Sequence, residues 1–187
     1  MKTKLASLIE LAFADLSSWL SSLDLQIVRR CAAGTRTTLG QRSAIFVSRC
    51  GNGWMYPALA ALFIVREKNA ALRPLLAAAT SIAILHCFYP LLKNRISRSR
   101  PYQISPELNP LLPTLDRHSF PSGHAMTLTA AFTPFVLAFS GTIWSATPIW
   151  AAMAWSRIAS AHHFPTDILG GTILGAAVAY PVAVLIC

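Results

Sequence analysis

The sequence predicts an all-α fold, an integral membrane helical bundle of five to six transmembrane helices, as a single domain over residues 1–187. Three observations carry that prediction. Of the 187 residues, 54% are hydrophobic and only 12% are charged, with a mean hydropathy of +0.50. A soluble domain carries about 25% charged residues. Basic stretches separate long uncharged runs, as in the loops of a membrane protein, and the main runs approach the roughly 20 apolar residues that cross a bilayer. These features exclude a soluble enzyme and a disordered regulator. They also exclude a nucleic-acid binder, despite the net charge of +9, because such proteins cluster Lys and Arg on one wet face.

The elements follow in chain order. Residues 5–28 are apolar, with Leu8, Leu11, Leu16, Leu20 and Leu23 near helical spacing, but Glu10, Asp15 and Asp24 interrupt them. Carboxylates at mid-span are costly in lipid, so an amphipathic helix in the interface is expected here rather than a sixth span. Glu10 and the lack of a small-residue cleavage site argue against a cleavable signal peptide. Residues 50–65 reach span length by drawing on residues 43–48. Residues 74–92 supply a second span. Residues 125–156, broken at Ser140-Gly141, read as two short spans, and residues 168–187 as the last. The four cysteines (Cys31, Cys50, Cys87 and Cys187) form no CxxC pair and read as apolar filler, without a disulfide framework or a zinc site.

Two connections carry the chemistry. Residues 93–120 are rich in proline (Pro101, Pro106, Pro110, Pro113), and a structureless connection of that length is usually functional. The connection after Ser156 holds Arg157, His162, His163 and Asp167. If the five spans alternate, both connections emerge on one membrane face and build one site. Lys93, Arg100 and Arg157 are fixed cations suited to an anion with several oxygens, and arginine's planar fork fits phosphate bidentately. Ser122-Gly123, with Pro121 placed in the first turn, marks a helix N-terminus whose free N–H groups bind phosphate. His163 and Asp167 share a face if that segment is helical, so the carboxylate fixes one imidazole nitrogen and leaves the other as a nucleophile. His124 is then placed to protonate a leaving oxygen. This inventory fits phosphoryl transfer by charge neutralisation. It fits metal catalysis poorly, since Asp167 is the only carboxylate after Asp116; no metal and no cofactor is expected.

Lys93–Pro101, Pro121–His124 and Ser156–Asp167 together resemble the three signature motifs of the type 2 phosphatidic acid phosphatase (PAP2) superfamily, K-x6-R-P, P-S-G-H and S-R-x5-H-x3-D. The resemblance implies a PAP2-like α-helical bundle, usually of six spans in bacterial membrane members. It implies a metal-independent phosphatase in which His163 forms a phosphohistidine, Asp167 orients it and His124 acts as acid. Lys93, Arg100, Ser122, Gly123, His124 and Arg157 would bind the phosphate. It also implies a bacterial inner membrane location with the site facing the periplasm. Charge alone points the other way: Arg29, Arg30, Arg36, Arg42 and Arg49 lie on the expected site face, against Arg66, Lys68 and Arg73 opposite.

The expected activity is hydrolysis of a lipid phosphomonoester or terminal diphosphate. An isoprenyl diphosphate such as undecaprenyl diphosphate is favoured for so compact a chain, with phosphatidylglycerophosphate and phosphatidic acid as alternatives. A non-catalytic lipid-phosphate binding or transport protein would need only the cations. The vanadium-dependent haloperoxidases share the motifs but are soluble and larger. The expected partners are the lipid phosphate or diphosphate substrate and membrane lipid, with no nucleic acid; nothing in the sequence speaks to oligomeric state. His162 reads as a packing residue facing away from Asp167, His86 as a hydrogen-bonded core histidine and Gly171-xxx-Gly175 as helix packing. Arg95 and Arg98 are divided between lipid head-group contact and general surface charge, and Arg117 and His118, which border the second motif, are candidates for substrate contact.

Overall fold

Caps, turns and prolines set the helix boundaries. The computed structural model describes residues 2–187, with side chains from residue 18 onward. Leu8, Glu10, Leu11, Asp15 and Leu16, part of the expectation for the N-terminal segment, therefore fall outside the described side chains. The helices are α1 (Lys2–Ala33), α2 (Thr38–Cys50), α3 (Met55–Glu67), α4 (Leu72–Ile96), α5 (Pro101–Ile104), α6 (Gly123–Ala138), α7 (Ile143–Ala159) and α8 (Pro165–Ile186). Thr37 caps α2 by accepting the Gly40 N–H at 3.1 Å. Ser97 ends α4 in the left-handed region, its N–H donating to the Lys93 carbonyl at 2.9 Å. Pro165 opens α8 at the first helical position.

The break at Ser140-Gly141 appears where the sequence places it, as a short 3-10 turn between α6 and α7. The span expected over residues 43–65 does not form as one helix. Asn52-Gly53 is a turn dipeptide, and Gly53 adopts φ 120, which only glycine takes readily. The chain therefore turns between Cys50 and Met55 and divides into α2 and α3.

Among the described residues, two segments are long and apolar enough to cross a membrane, Met55–Ile104 and Pro165–Ile186, and most of each lies on the outside of the protein. Trp144, Leu185, Val65 and Leu39 are each at least 77% exposed. An apolar exterior on this scale belongs in lipid. Prolines inside α4, α6, α7 and α8 are tolerated in membrane helices, where neighbouring groups re-satisfy the freed carbonyls.

The centre of the bundle is α4, α6 and α8, sealed by Leu85, Met126, Ala130 and Ala179. Leu128, Phe132, Ala146 and Met153 join α6 to α7. The far end of α1 packs into the same body: Val28 is fully buried with Leu108, Ala161 and Phe164. That half of α1 is thus part of the bundle, and Asp24, expected to be costly in lipid, is 3% exposed inside protein.

Gly171 and Gly175 let α8 ride directly on α6. A Cβ at Gly171 would meet the Ser122 carbonyl and stand 3.2 Å from the Met126 nitrogen, and one at Gly175 would stand 2.5 Å from the Met126 carbonyl oxygen. Gly171→Ala is therefore expected to destabilise the protein by about 1–3 kcal/mol. Gly141→Ala, which meets nothing within 4 Å, should stay within about 0.5 kcal/mol. Denaturant titration in mixed micelles measures both.

Candidate active site

Helix termini converge at one end of the bundle. The last turn of α4 carries Lys93, the last turn of α7 carries Arg157, and the first turns of α6 and α8 carry His124 and Asp167. Beside them lies a cavity of about 400 Å³ whose wall includes Arg100, Asp116, Gly123, His124, Arg157 and His163. The two connections predicted to share a face do meet here.

Ser122 is the N-cap of α6 and its hydroxyl accepts the Ala125 N–H at 3.5 Å, while its own N–H donates to the Asp167 carbonyl at 3.0 Å. Pro121 precedes this cap rather than occupying the first helical turn. Ser122 and Lys93 do not line the cavity. Gly123 does, and its lack of a side chain has a reason: a Cβ would stand 2.6 Å from the Tyr89 hydroxyl. Gly51 allows the same close approach to His124, where a Cβ would fall 2.5 Å from the ring.

Arg100 and Arg157 are buried at 1% and 4% exposure. Arg100 donates to the Asp116 carboxylate at 2.6 Å and to the His162 carbonyl at 2.7 Å. Arg157 donates to Ser48 Oγ at 2.5 Å and forms no ion pair among the described residues. The Nε–H of each arginine has no hydrogen-bond partner among them either. These are buried donors at the wall of a cavity, an arrangement that suits a multi-oxygen anion.

His163 sits in the turn between α7 and α8, not on a helix: Ala161 takes φ 56, and the His163 N–H donates to the Arg157 carbonyl at 3.2 Å. The helical-face argument for its pairing with Asp167 therefore does not apply, yet the turn still brings His163 Nδ1 to 3.6 Å from Asp167 Oδ2. That separation is longer than a hydrogen bond, of the kind that tightens when a substrate is bound. Burial, followed by the charges of Arg157, Arg100 and Lys93, holds the His163 imidazole well below its ordinary pKa, so the ring is neutral near pH 7 and keeps a lone pair. His124 donates from Nε2 to Asn52 Oδ1 at 2.9 Å. His162 points away from the cavity, donating from Nε2 to the Leu112 carbonyl at 2.8 Å. His86 departs from its expectation as a core residue: it is exposed at the cavity wall, within 3.0 Å of Thr127 Oγ1.

Three carboxylates and amides at the site were not legible as such. Asn52 reaches His124 from the α2–α3 turn. Asp24 reaches Arg98, and Arg98 reaches Asp167 at 2.6 Å. Asp116 bridges Lys93 and Arg100, the cations assigned to phosphate. Burial opposes its ionisation, but Lys93 and Arg100 prevail and hold the carboxyl below its usual range. An acidic residue at mid-segment in an apolar helix, as Asp24 is, was itself the available signal, because it demands a buried partner.

A family model described as the PAP2 superfamily matches residues 74–186, which contain every one of these motif residues. The chain belongs to the PAP2 superfamily. Its structure resembles that of the transmembrane PAP2-type phosphatidylglycerolphosphate phosphatase from Bacillus subtilis, with a TM-score of 0.67 and 24% identity over 95% of this chain and 90% of that one. It also resembles Aquifex aeolicus LpxE, with a TM-score of 0.68 and 22% identity over 86% of this chain and 94% of that one. The fold is thus that of membrane PAP2 proteins. An undecaprenyl-diphosphatase from Sulfolobus acidocaldarius is 23% identical over 137 residues, 73% of this chain and 66% of that protein's length.

In this PAP2 site the Asp116 carboxylate holds Arg100 at the cavity wall, so an anion that binds Arg100 would have to compete with it. Asp116→Asn is expected to tighten inhibition by inorganic phosphate about tenfold, equivalent to about 1.4 kcal/mol. A phosphate titration of the purified protein's hydrolytic activity checks it.

Proposed function

We propose that this protein is a membrane lipid-phosphate phosphatase that works through a phosphohistidine, with an isoprenyl diphosphate such as undecaprenyl diphosphate as the favoured substrate. The observation that carries the reading is the cavity in which Arg100, Arg157, His124 and His163 meet at the N-terminus of α6. In this reading the arginines and the backbone N–H groups of Gly123 and His124 neutralise the phosphoryl oxygens as charge develops. His163 attacks phosphorus, forming the N–P bond as the P–O bond to the leaving group breaks. His124 gives its proton to the departing oxygen, and water then cleaves the N–P bond, releasing inorganic phosphate.

A second feature supports an apolar substrate. A groove of about 260 Å³, lined by Leu59, Phe63, Leu75, Phe132 and Phe135, shares Tyr56 and Ile82 with the cavity. Its wall is formed by apolar residues of α3, α4 and α6, so a head group could sit in the cavity while its tail stays apolar. The named activity of the Sulfolobus acidocaldarius relative supports a terminal diphosphate.

Phosphate release from a panel of undecaprenyl diphosphate, phosphatidylglycerophosphate and phosphatidic acid in detergent tests the substrate. The highest kcat/KM is expected for undecaprenyl diphosphate, and preference for either glycerolipid would reassign it. His163→Ala should abolish turnover and any acid-labile phosphoenzyme, whereas His162→Ala should keep measurable turnover with reduced stability, since only the Leu112 hydrogen bond is lost. Survival of turnover in His163→Ala sinks the mechanism.

We further propose that the site faces the periplasm of a bacterial inner membrane, as the family's motifs imply. In a variant lacking the native cysteines, Asn109→Cys in the exposed part of the 105–122 connection should be labelled by an impermeant thiol reagent in intact spheroplasts. Labelling only after lysis would reverse the orientation.

A further inference from the structure

A carboxylate buried among apolar helices needs partners on both oxygens. Asp167 is fully buried, and its oxygens keep different company. Oδ2 accepts the Phe164 N–H at 2.8 Å and faces His163 Nδ1 at 3.6 Å. Oδ1 accepts from Arg98 Nη1 at 2.6 Å. That Arg98 nitrogen also donates to Thr166 Oγ1 at 2.7 Å, and Nη2 donates to Asp24 Oδ2 at 2.8 Å.

Asp24 in turn holds the helix that carries Asp167. Its Oδ1 accepts the Thr166 N–H at 3.1 Å, and its Oδ2 accepts the Thr166 hydroxyl. Thr166 lies in the first turn of α8, where N–H groups have no partner within the helix. A carboxylate on α1 thus caps α8 from outside, favourably placed at the positive end of its dipole. The Arg98 backbone is pinned as well: its carbonyl accepts the Ser119 N–H at 2.9 Å, and its guanidinium lies 4.2 Å from the centre of the Phe164 ring. Neither Asp24 nor Arg98 lines the cavity, so any effect they have on a reaction there must pass through Asp167.

We propose that Asp24 and Arg98 are positioning residues that together hold the Asp167 carboxylate in register with His163. Arg98 occupies one oxygen and leaves the other to the imidazole. Asp24 keeps the guanidinium from turning away and fixes the first turn of α8. The inference rests on the reading of His163 as the nucleophile and Asp167 as its orienting group.

The test uses the full chain in detergent micelles, with Arg98→Ala, Arg98→Lys, Asp24→Asn and the double variant Asp24→Asn/Arg98→Ala. With undecaprenyl diphosphate as substrate, Arg98→Ala should lower kcat by about 10- to 100-fold, the usual effect of groups that orient a reacting group from behind. KM and the inhibition constant of inorganic phosphate should stay within about twofold, because no phosphate-binding group has changed. Arg98→Lys should recover part of the loss. The double variant should lose clearly less than the product of the two single losses, since Asp24 acts partly through Arg98 and partly through Thr166. Independent losses that multiply in the double variant, a change in KM with kcat preserved, or full activity in Arg98→Ala would each overturn the proposal.

A readout without turnover separates this from the function itself. In protein labelled with 15N-histidine, the His163 ring nitrogens, assigned by their loss in His163→Gln, should report a single Nδ1–H tautomer in the wild type. A tautomer mixture is expected in Arg98→Ala. If the wild type hydrolyses no lipid phosphate, the proposed function falls while this spectrum still decides the positioning role: an unchanged spectrum rejects it, a mixture upholds it. If Arg98→Ala does not fold, Arg98→Lys and Asp24→Asn carry the same two readouts.

Discussion

The organising constraint of this structure is that charge buried between apolar helices must be neutralised by protein. Asp24, Lys93, Arg100, Arg157 and Asp167 are each no more than 4% exposed, in a bundle whose exterior is built for lipid. Burial strips these groups of hydration, so Asp24, Lys93, Arg100 and Asp167 each meet an opposite charge from protein, and Arg157, with only the Ser48 hydroxyl, is the exception. Lys93 and Arg100 converge on Asp116, and Arg98 ties Asp24 to Asp167. These pairings hold α1, α4, α8 and the 105–122 connection in one arrangement. Apolar packing alone, which in lipid has little driving force between helices, would define that arrangement less sharply.

The small residues serve the same end. Gly171 and Gly175 bring α8 onto α6 closely enough for the Ser122 N–H to reach the Asp167 carbonyl. The first turns of α6 and α8, one carrying His124 and the other Asp167, are thereby fixed relative to each other by backbone contact. Asp167 also reaches back to the Phe164 N–H as an acidic third helical residue does. One carboxylate therefore starts a helix and stands beside the imidazole at the cavity wall.

Much of this could be read from the sequence because its signals are local. The helix start at Ser122-Gly123, the Ser140-Gly141 break and the three motif clusters each lie within a few residues, where spacing carries information. Asn52-Gly53 was equally local, but counting uncharged residues from 43 to 65 concealed it, since a turn of neutral residues leaves no mark on hydropathy. The Asp24–Arg98 pair joins positions 74 apart and the Arg157–Ser48 bond positions 109 apart; no periodicity links such residues. In residues 5–28 hydropathy treats lipid as the surroundings of every carboxylate, whereas Asp24 is met by the Arg98 guanidinium. The four-residue spacing of His163 and Asp167 points to a shared helical face, whereas the turn after α7 is what sets their 3.6 Å separation.

The groove that joins the cavity beside Tyr56 and Ile82 has a consequence for how such a site is fed. A molecule that arrives along it travels sideways within the bilayer, and its tail need never leave the hydrocarbon phase. The quantity that governs occupancy is then the mole fraction of that molecule among the surrounding lipids, not its amount per volume of buffer. Diluting the membrane with inert lipid would starve the site at constant bulk concentration, whereas diluting the whole suspension would leave each protein's supply unchanged.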